Sequence, residues 1–126
     1  MVIAGSDFKN YQRLGLQIAA AIQELRLEKD TLIIASSDMT HYEDANTARV
    51  KDTKAIQAIL QLDETKLWEK IQDLDITMCG YAPAIVMISA AKALGAKKGE
   101  LVKYQTSGDV TGDNSSVVGY AGIIIS

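Results

Sequence analysis

An α/β fold, in which helices pack on a mixed sheet, is what the sequence predicts, and three observations predict it. Short apolar runs of strand length, such as Leu32-Ile33-Ile34-Ala35, stand apart from stretches whose apolar residues recur at three- and four-residue steps. The opening order is strand, helix, strand: Val2-Ile3-Ala4-Gly5 reads as the end of a buried strand, Tyr11, Leu14, Ile18, Ile22 and Leu25 trace one helical face, and Thr31 to Ala35 is the next strand. Right-handed crossover makes such a pair parallel. At the other end, Leu101 to Thr106 alternates like a half-buried strand and Val117 to Ile125 is strongly β-prone. The loop from Ser107 to Ser116 is too short to carry a crossover helix, so these two strands are expected to be antiparallel neighbours.

The elements between follow in order. Gly15 weakens the first helix only modestly. Ala48, Ala55, Ile56, Ile59 and Leu60 form a second helical stripe, with Asp44 or Asn46 available as its cap. Asp63 restarts a short helix bearing Leu67, Trp68 and Ile71, in which Trp68 is expected to anchor the core. Pro83 is tolerated in a first turn, so Met78-Cys79-Gly80-Tyr81-Ala82-Pro83 opens a helix that runs from Ala82 to Leu94 and stops at Gly95. Apolar on most of its circumference, that helix is expected to be central.

With 126 residues, 48% hydrophobic and 23% charged, residues 1–126 suffice for one domain with one core. The net charge of −3 comes from 13 basic and 16 acidic residues that are interspersed, which gives no electrostatic basis for a nucleic-acid partner. A single cysteine excludes an intrachain disulfide and makes the cytoplasm the default expectation. The first residues lack the basic flank and apolar length of a signal peptide, and no run is long enough to span a bilayer. Because Val2 to Ala4 begins mid-strand, the expectation is a chain cut at its N-terminal edge, with an exposed apolar edge that invites self-association.

The only histidine lies in Ser36-Ser37-Asp38-Met39-Thr40-His41-Tyr42-Glu43, directly after an apolar run. Loops beyond the carboxyl ends of strands are where ligands bind in open α/β sheets. His41 suits proton transfer near neutral pH, and a carboxylate three residues away at Asp38 can orient it, although a histidine that merely hydrogen-bonds within a loop remains open at this stage. Cys79 precedes a helix, a position that favours nucleophilicity or metal binding, but a buried, inert thiol is equally compatible with sequence position. The Gly108 to Ser116 loop lacks the Lys of a phosphate-binding loop and the spacing of a Ca²⁺ loop, leaving a long turn or a substrate-facing loop. One His, one Cys and Asp38 fall short of the four ligands of a closed structural zinc site, so only an open site is arithmetically allowed.

SSDMTHYE, TMCGYAPAIVMISAAKALGA and LVKYQTSGDVTGDNSSVVGYAGI, in that order, resemble the C-terminal half of the Memo-like family, whose microbial members are called AmmeMemoRadiSam system protein B. The resemblance covers essentially the whole chain. It implies a fold similar to part of the class III extradiol dioxygenases, non-haem iron enzymes that open catechol-type rings. It further implies that Cys79 falls on the family's cysteine metal ligand, and that Asp38 and His41 fall on an aspartate and a histidine beside the cleft, the histidine similar in place to an acid/base. Other metal-binding histidines of the family lie upstream, so iron or copper is expected in the full-length protein and weakly or not at all in this chain, with the missing N-terminal half of the same protein as partner.

Three functions follow as expectations. The first is a metal-dependent redox enzyme of Memo type acting on an unidentified small molecule, the second a non-enzymatic peptide- or protein-binding module lined by His41, Tyr42 and Tyr81. The third is a Cys79–His41 thiol hydrolase, which needs the two side chains within hydrogen-bond reach.

Overall fold

A computed structural model describes residues 7–126. Helix α1 (Phe8–Glu24) starts where the Asp7 side chain accepts the N–H of Asn10, which satisfies one of the donors a helix start leaves free. Its buried face is Tyr11, Gly15, Ala19 and Ile22, whereas Leu25 of the expected stripe is exposed. Small residues at 15 and 19 let the helix lie close to another backbone: a Cβ added at Gly15 would stand 2.5 Å from the Val86 carbonyl oxygen. Gly15 is therefore there for helix contact, and its modest cost to helix propensity is secondary.

Strand β1 (His41–Glu43) leads into α2 (Ala45–Leu60), capped by Asp44, which accepts from the N–H groups of Asn46 and Thr47. Those bonds hold the exposed Asp44 carboxyl below its ordinary value of 3.8. Helix α3 (Glu64–Asp73) is capped by Asp63, and α4 (Tyr81–Ala93) ends at Leu94 with Gly95 at a φ of 100°. Strand β2 (Gly99–Thr106), the one-turn helix α5 (Gly108–Thr111) and β3 (Val117–Ile125) complete the chain.

The sheet order is β1-β3-β2, with both pairings antiparallel. The β2–β3 pair runs from Gly99 opposite Ile125 to Thr106 opposite Gly119, the antiparallel neighbours that the short connection requires. Helix α4 is central, with Ala82, Ala84, Ile85, Val86, Ile88 and Ala90 all buried, α1 and α3 both packed on it, and α2 laid against the sheet. Trp68 joins Phe8, Tyr11 and Tyr81 in a ring cluster with centroids 5.8–6.3 Å apart, so it anchors the core as its sequence context predicts.

The α/β class is thus borne out, and the parallel opening pair is not among the described strands. Val2 to Gly5 lies outside the described residues. Thr31 to Ala35 forms no strand, and instead of being buried, Leu32 and Ile34 are 82% and 77% exposed. An apolar run becomes a strand only where a neighbour accepts its backbone hydrogen bonds, and no described strand pairs with this one.

Candidate functional site

The stretch after Ala35 is caught by β3. Met39 donates its N–H to the Gly119 carbonyl and Gly119 donates its own to the Thr40 carbonyl, both at 2.9 Å, which lays residues 39–40 along the edge of β3 just ahead of β1. A bulge between His41 and Glu43 then puts Tyr42 at a φ of 60°. For a tyrosine this is a strained backbone, costing ~1–2 kcal/mol, and the ring it displays is exposed beside His41 at a centroid distance of 5.9 Å.

Two loops meet here. Ahead of α4, Gly80 has no side chain to cap its helix, and Ser37 does so from the facing loop by accepting the Gly80 N–H at 2.8 Å. A Cβ at Gly80 would stand 2.4 Å from the Ser37 Cβ, so glycine is what allows the approach. Cys79 is carried into contact by the same closure, and its sulfur accepts the Asp38 N–H at 3.3 Å. Cys79 is exposed, which sets aside the buried, inert reading.

His41 is held from both ends by Thr77. Its backbone N–H donates to Thr77 Oγ1 at 2.7 Å and its ring Nδ1 lies 2.8 Å from the Thr77 carbonyl oxygen. A carbonyl can only accept, so Nδ1 carries a hydrogen, and in the neutral ring the lone pair is left on Nε2. That atom faces Asp38 Oδ2 at 3.6 Å. One ligand atom each from Asp38, His41 and Cys79 lies within 4.8 Å of the others.

The structure therefore brings together the three residues singled out from the sequence. Nitrogen, sulfur and carboxylate donors suit a transition metal better than Mg²⁺ or Ca²⁺, and a ring whose second nitrogen is fixed by a carbonyl is the usual setting of a ligating or proton-transferring histidine. Tyr81, by contrast, is turned into the ring cluster with Trp68 and Tyr11, where burial pushes its phenol pKa up. The Gly108 to Ser116 loop spends both aspartates on itself and its neighbours: Asp109 accepts from Thr106 and Arg49, and Asp113 from Ser115. Sequence reasoning missed Ser37, Thr77 and Asp52. Nothing marks Thr77, which holds His41 through both its hydroxyl and its carbonyl from 36 residues away, whereas Asp52 had a signal, since it stands four residues from both Ala48 and Ile56 on the apolar stripe of α2.

An α/β protein with an N/O/S donor cluster where two loops meet at its sheet edge is the class defined by this geometry. The chain belongs to the Memo-like protein family, whose profile matches residues 1–124. It is 45% identical to a MEMO1 family protein of Methanocaldococcus jannaschii over 94% of this chain and 41% of that protein. A MEMO1 family protein of Methanopyrus kandleri is 44% identical over 97% of this chain and 42% of its own length. A third, of Aquifex aeolicus, is 50% identical over 80% and 38%. The chain thus spans about two-fifths of the length of these relatives. No helix among the described residues is long and apolar enough to cross a membrane.

Proposed function

We propose that Asp38, His41 and Cys79 are this chain's share of the active site of a non-haem metal-dependent redox enzyme of Memo type, with Cys79 as a ligand and His41 and Asp38 as the acid/base pair. The observation that carries this reading is the meeting of three donor atoms within 4.8 Å, in a setting that leaves Nε2 of His41 uncommitted to any backbone group. Bound iron or copper would supply Lewis acidity and a redox couple. His41 would take and return a proton at Nε2, because Nδ1–H is tied to Thr77 and the ring cannot turn without losing that bond. The Asp38 carboxylate stands on the Nε2 side of the ring, 3.6 Å away, where it can orient the imidazole. The Cys79 thiol is less suited to act as a nucleophile with His41 as its base: its hydrogen-bond partners are in the Ser37-Asp38 segment, and the imidazole is not among them.

The test is metal content together with O₂ consumption over a panel of catechols, in the intact protein purified without oxygen. Cys79→Ser should lose most of its iron or copper, while His41→Ala should keep metal and lose turnover. Full metal in the Cys79 variant would remove its ligand role. Activity that survives chelation but falls with either substitution would favour the thiol enzyme, and no turnover in any form would favour the binding module.

The partner we propose is the remaining portion of a Memo-like chain, which is the larger part of each relative's length. Support comes from an apolar groove of about 730 Å³ lined by Leu32, Ile34, Met87, Ala121 and Ile123, which meets the site at Ser37. Without that partner the groove should drive self-association. A monomer in sedimentation at micromolar concentration would count against it.

A further inference from the structure

Behind the site, we propose, Asp52 is a positioning residue that sets the geometry of Asp38 and His41 through the Thr40 peptide. The inference rests on the reading of that pair given above. Helix α2 delivers Asp52 to a place where it is completely buried, and both of its oxygens are used: Oδ1 accepts the Thr40 N–H at 2.9 Å and Oδ2 the Tyr104 hydroxyl at 2.7 Å. A buried carboxylate is tolerated only when bonded in this way, and an apolar residue of similar size would serve the packing of α2 at lower cost. Neither bond caps a helix or closes a turn.

What the Thr40 bond does is complete a three-sided grip. Met39 N–H and Thr40 C=O are both bonded to Gly119, and Thr40 N–H points the other way, to Asp52. The peptides between Asp38 and His41 are thereby fixed from the sheet and from α2 at once. β3 leaves room for the carboxylate by having no side chain at Gly119, where an added Cβ would stand 2.0 Å from Asp52 Oδ2. The Thr40 hydroxyl has no partner among the described residues, so its backbone N–H is what this residue offers Asp52. Tyr104 keeps its proton and remains a donor to Asp52, since burial first and the bond itself second push its pKa well up. The Arg49 guanidinium lies over the Tyr104 ring, 5.5 Å from its centre. A shift of ~1 Å at a reacting group can cost ~10²-fold in rate, so a grip on the loop that carries two such groups has functional consequence.

The experiment titrates the intact protein with Co²⁺ alone, and separately reads the tautomer of the His41 ring from its ¹⁵N shifts without metal. Asp52→Leu, which fills the space but accepts no hydrogen bond, should lower the share of the Nδ1–H tautomer and, because the Cys79 sulfur accepts the Asp38 N–H of the same loop, weaken Co²⁺ binding ~10-fold or more, the range seen when partners of metal-binding groups are removed. Asp52→Asn retains an oxygen for Thr40 and should stay within about threefold of wild type. Leu67→Ala, a core truncation in α3 outside the site's hydrogen bonds, should lower stability and change neither readout. Should Asp52→Leu not fold, Tyr104→Phe frees one oxygen of Asp52 and should weaken Co²⁺ about threefold. Wild-type binding and tautomer in folded Asp52→Leu, or wild-type Co²⁺ binding in Tyr104→Phe where it stands in, or an equal change in Leu67→Ala, would overturn the inference. Wild-type protein that binds no Co²⁺ would overturn the metal reading instead, and the tautomer measurement would then decide the positioning role by itself.

Discussion

Asp38 and His41 on one side of a loop, and Met39 and Thr40 on the other, are four consecutive residues in opposite surroundings. Behind, Met39 and Thr40 are buried and their backbone groups are bonded to Gly119 and Asp52. In front, the Asp38 side chain is half-exposed, and His41 Nε2 lies 3.6 Å from its carboxylate. The difference teaches where rigidity comes from. A reactive side chain must keep hydrogen-bonding capacity free for its ligand, so its position has to be fixed by something other than its own polar atoms. Here the backbone between the two side chains carries that restraint, and Thr77 adds a hold on Nδ1 of the ring, leaving Nε2 turned toward Asp38.

The comparison breaks most severely at Gly119. A methyl group there cannot coexist with the Asp52 carboxylate at 2.0 Å, and Met39 Cβ at 3.1 Å blocks the other way out. Either Asp52 loses its partners or β3 moves off the loop. Gly119→Ala should therefore destabilise the protein by about 3 kcal/mol or more, the range for a buried charge left unpaired, in urea unfolding followed at constant m-value. A cost under about 1 kcal/mol would show that the loop and strand slide past each other freely and that the back face is no firmer than the front.

How much of this was legible depended on whether a residue's role is local. The caps at Asp44 and Asp63, the end of α4 at Gly95 and the β2–β3 pairing follow from residues within a few positions of one another, and were readable. Asp38, His41 and Cys79 do meet as expected, but not at the end of a strand: His41 lies in β1 instead of a loop, and bonds to Gly119 of β3 hold the segment ahead of it. The strand expected at Thr31 to Ala35 does not form, because β-propensity names a side chain's preference and pairing needs a neighbour that sequence alone does not supply. Asp52 hid for a third reason. In Lys51-Asp52-Thr53-Lys54 it looks like one more solvated charge, and only its phase on the helix, in step with Ala48 and Ile56, gives away that it points inward. Gly119 likewise reads as a flaw in a strand until the carboxylate opposite it is known.

The smallest expected effect lies at the outer end of the back-face network and turns on pH. Asp109 accepts the Thr106 N–H at 2.7 Å and the Thr106 hydroxyl at 3.1 Å, and the Arg49 guanidinium that lies over Tyr104 also donates to it. These bonds, the Thr106 N–H foremost, hold its carboxyl below the ordinary 3.8. A carboxyl whose folded value is depressed adds stability that is present above its unfolded value and is lost as pH falls through the folded one. Asp109→Asn keeps an acceptor for Thr106 but loses the charge, so wild type should be the more stable of the two by a constant margin at about pH 5 and above, and the margin should shrink below about pH 4. Because the carboxyl is solvent-exposed, the margin should also fall with added salt. Thermal unfolding of both proteins across that range reads it directly. A margin that does not change with pH would mean that Asp109 acts through shape alone, and that the chain of contacts from Asp109 through Arg49 and Tyr104 to Asp52 is not electrostatic.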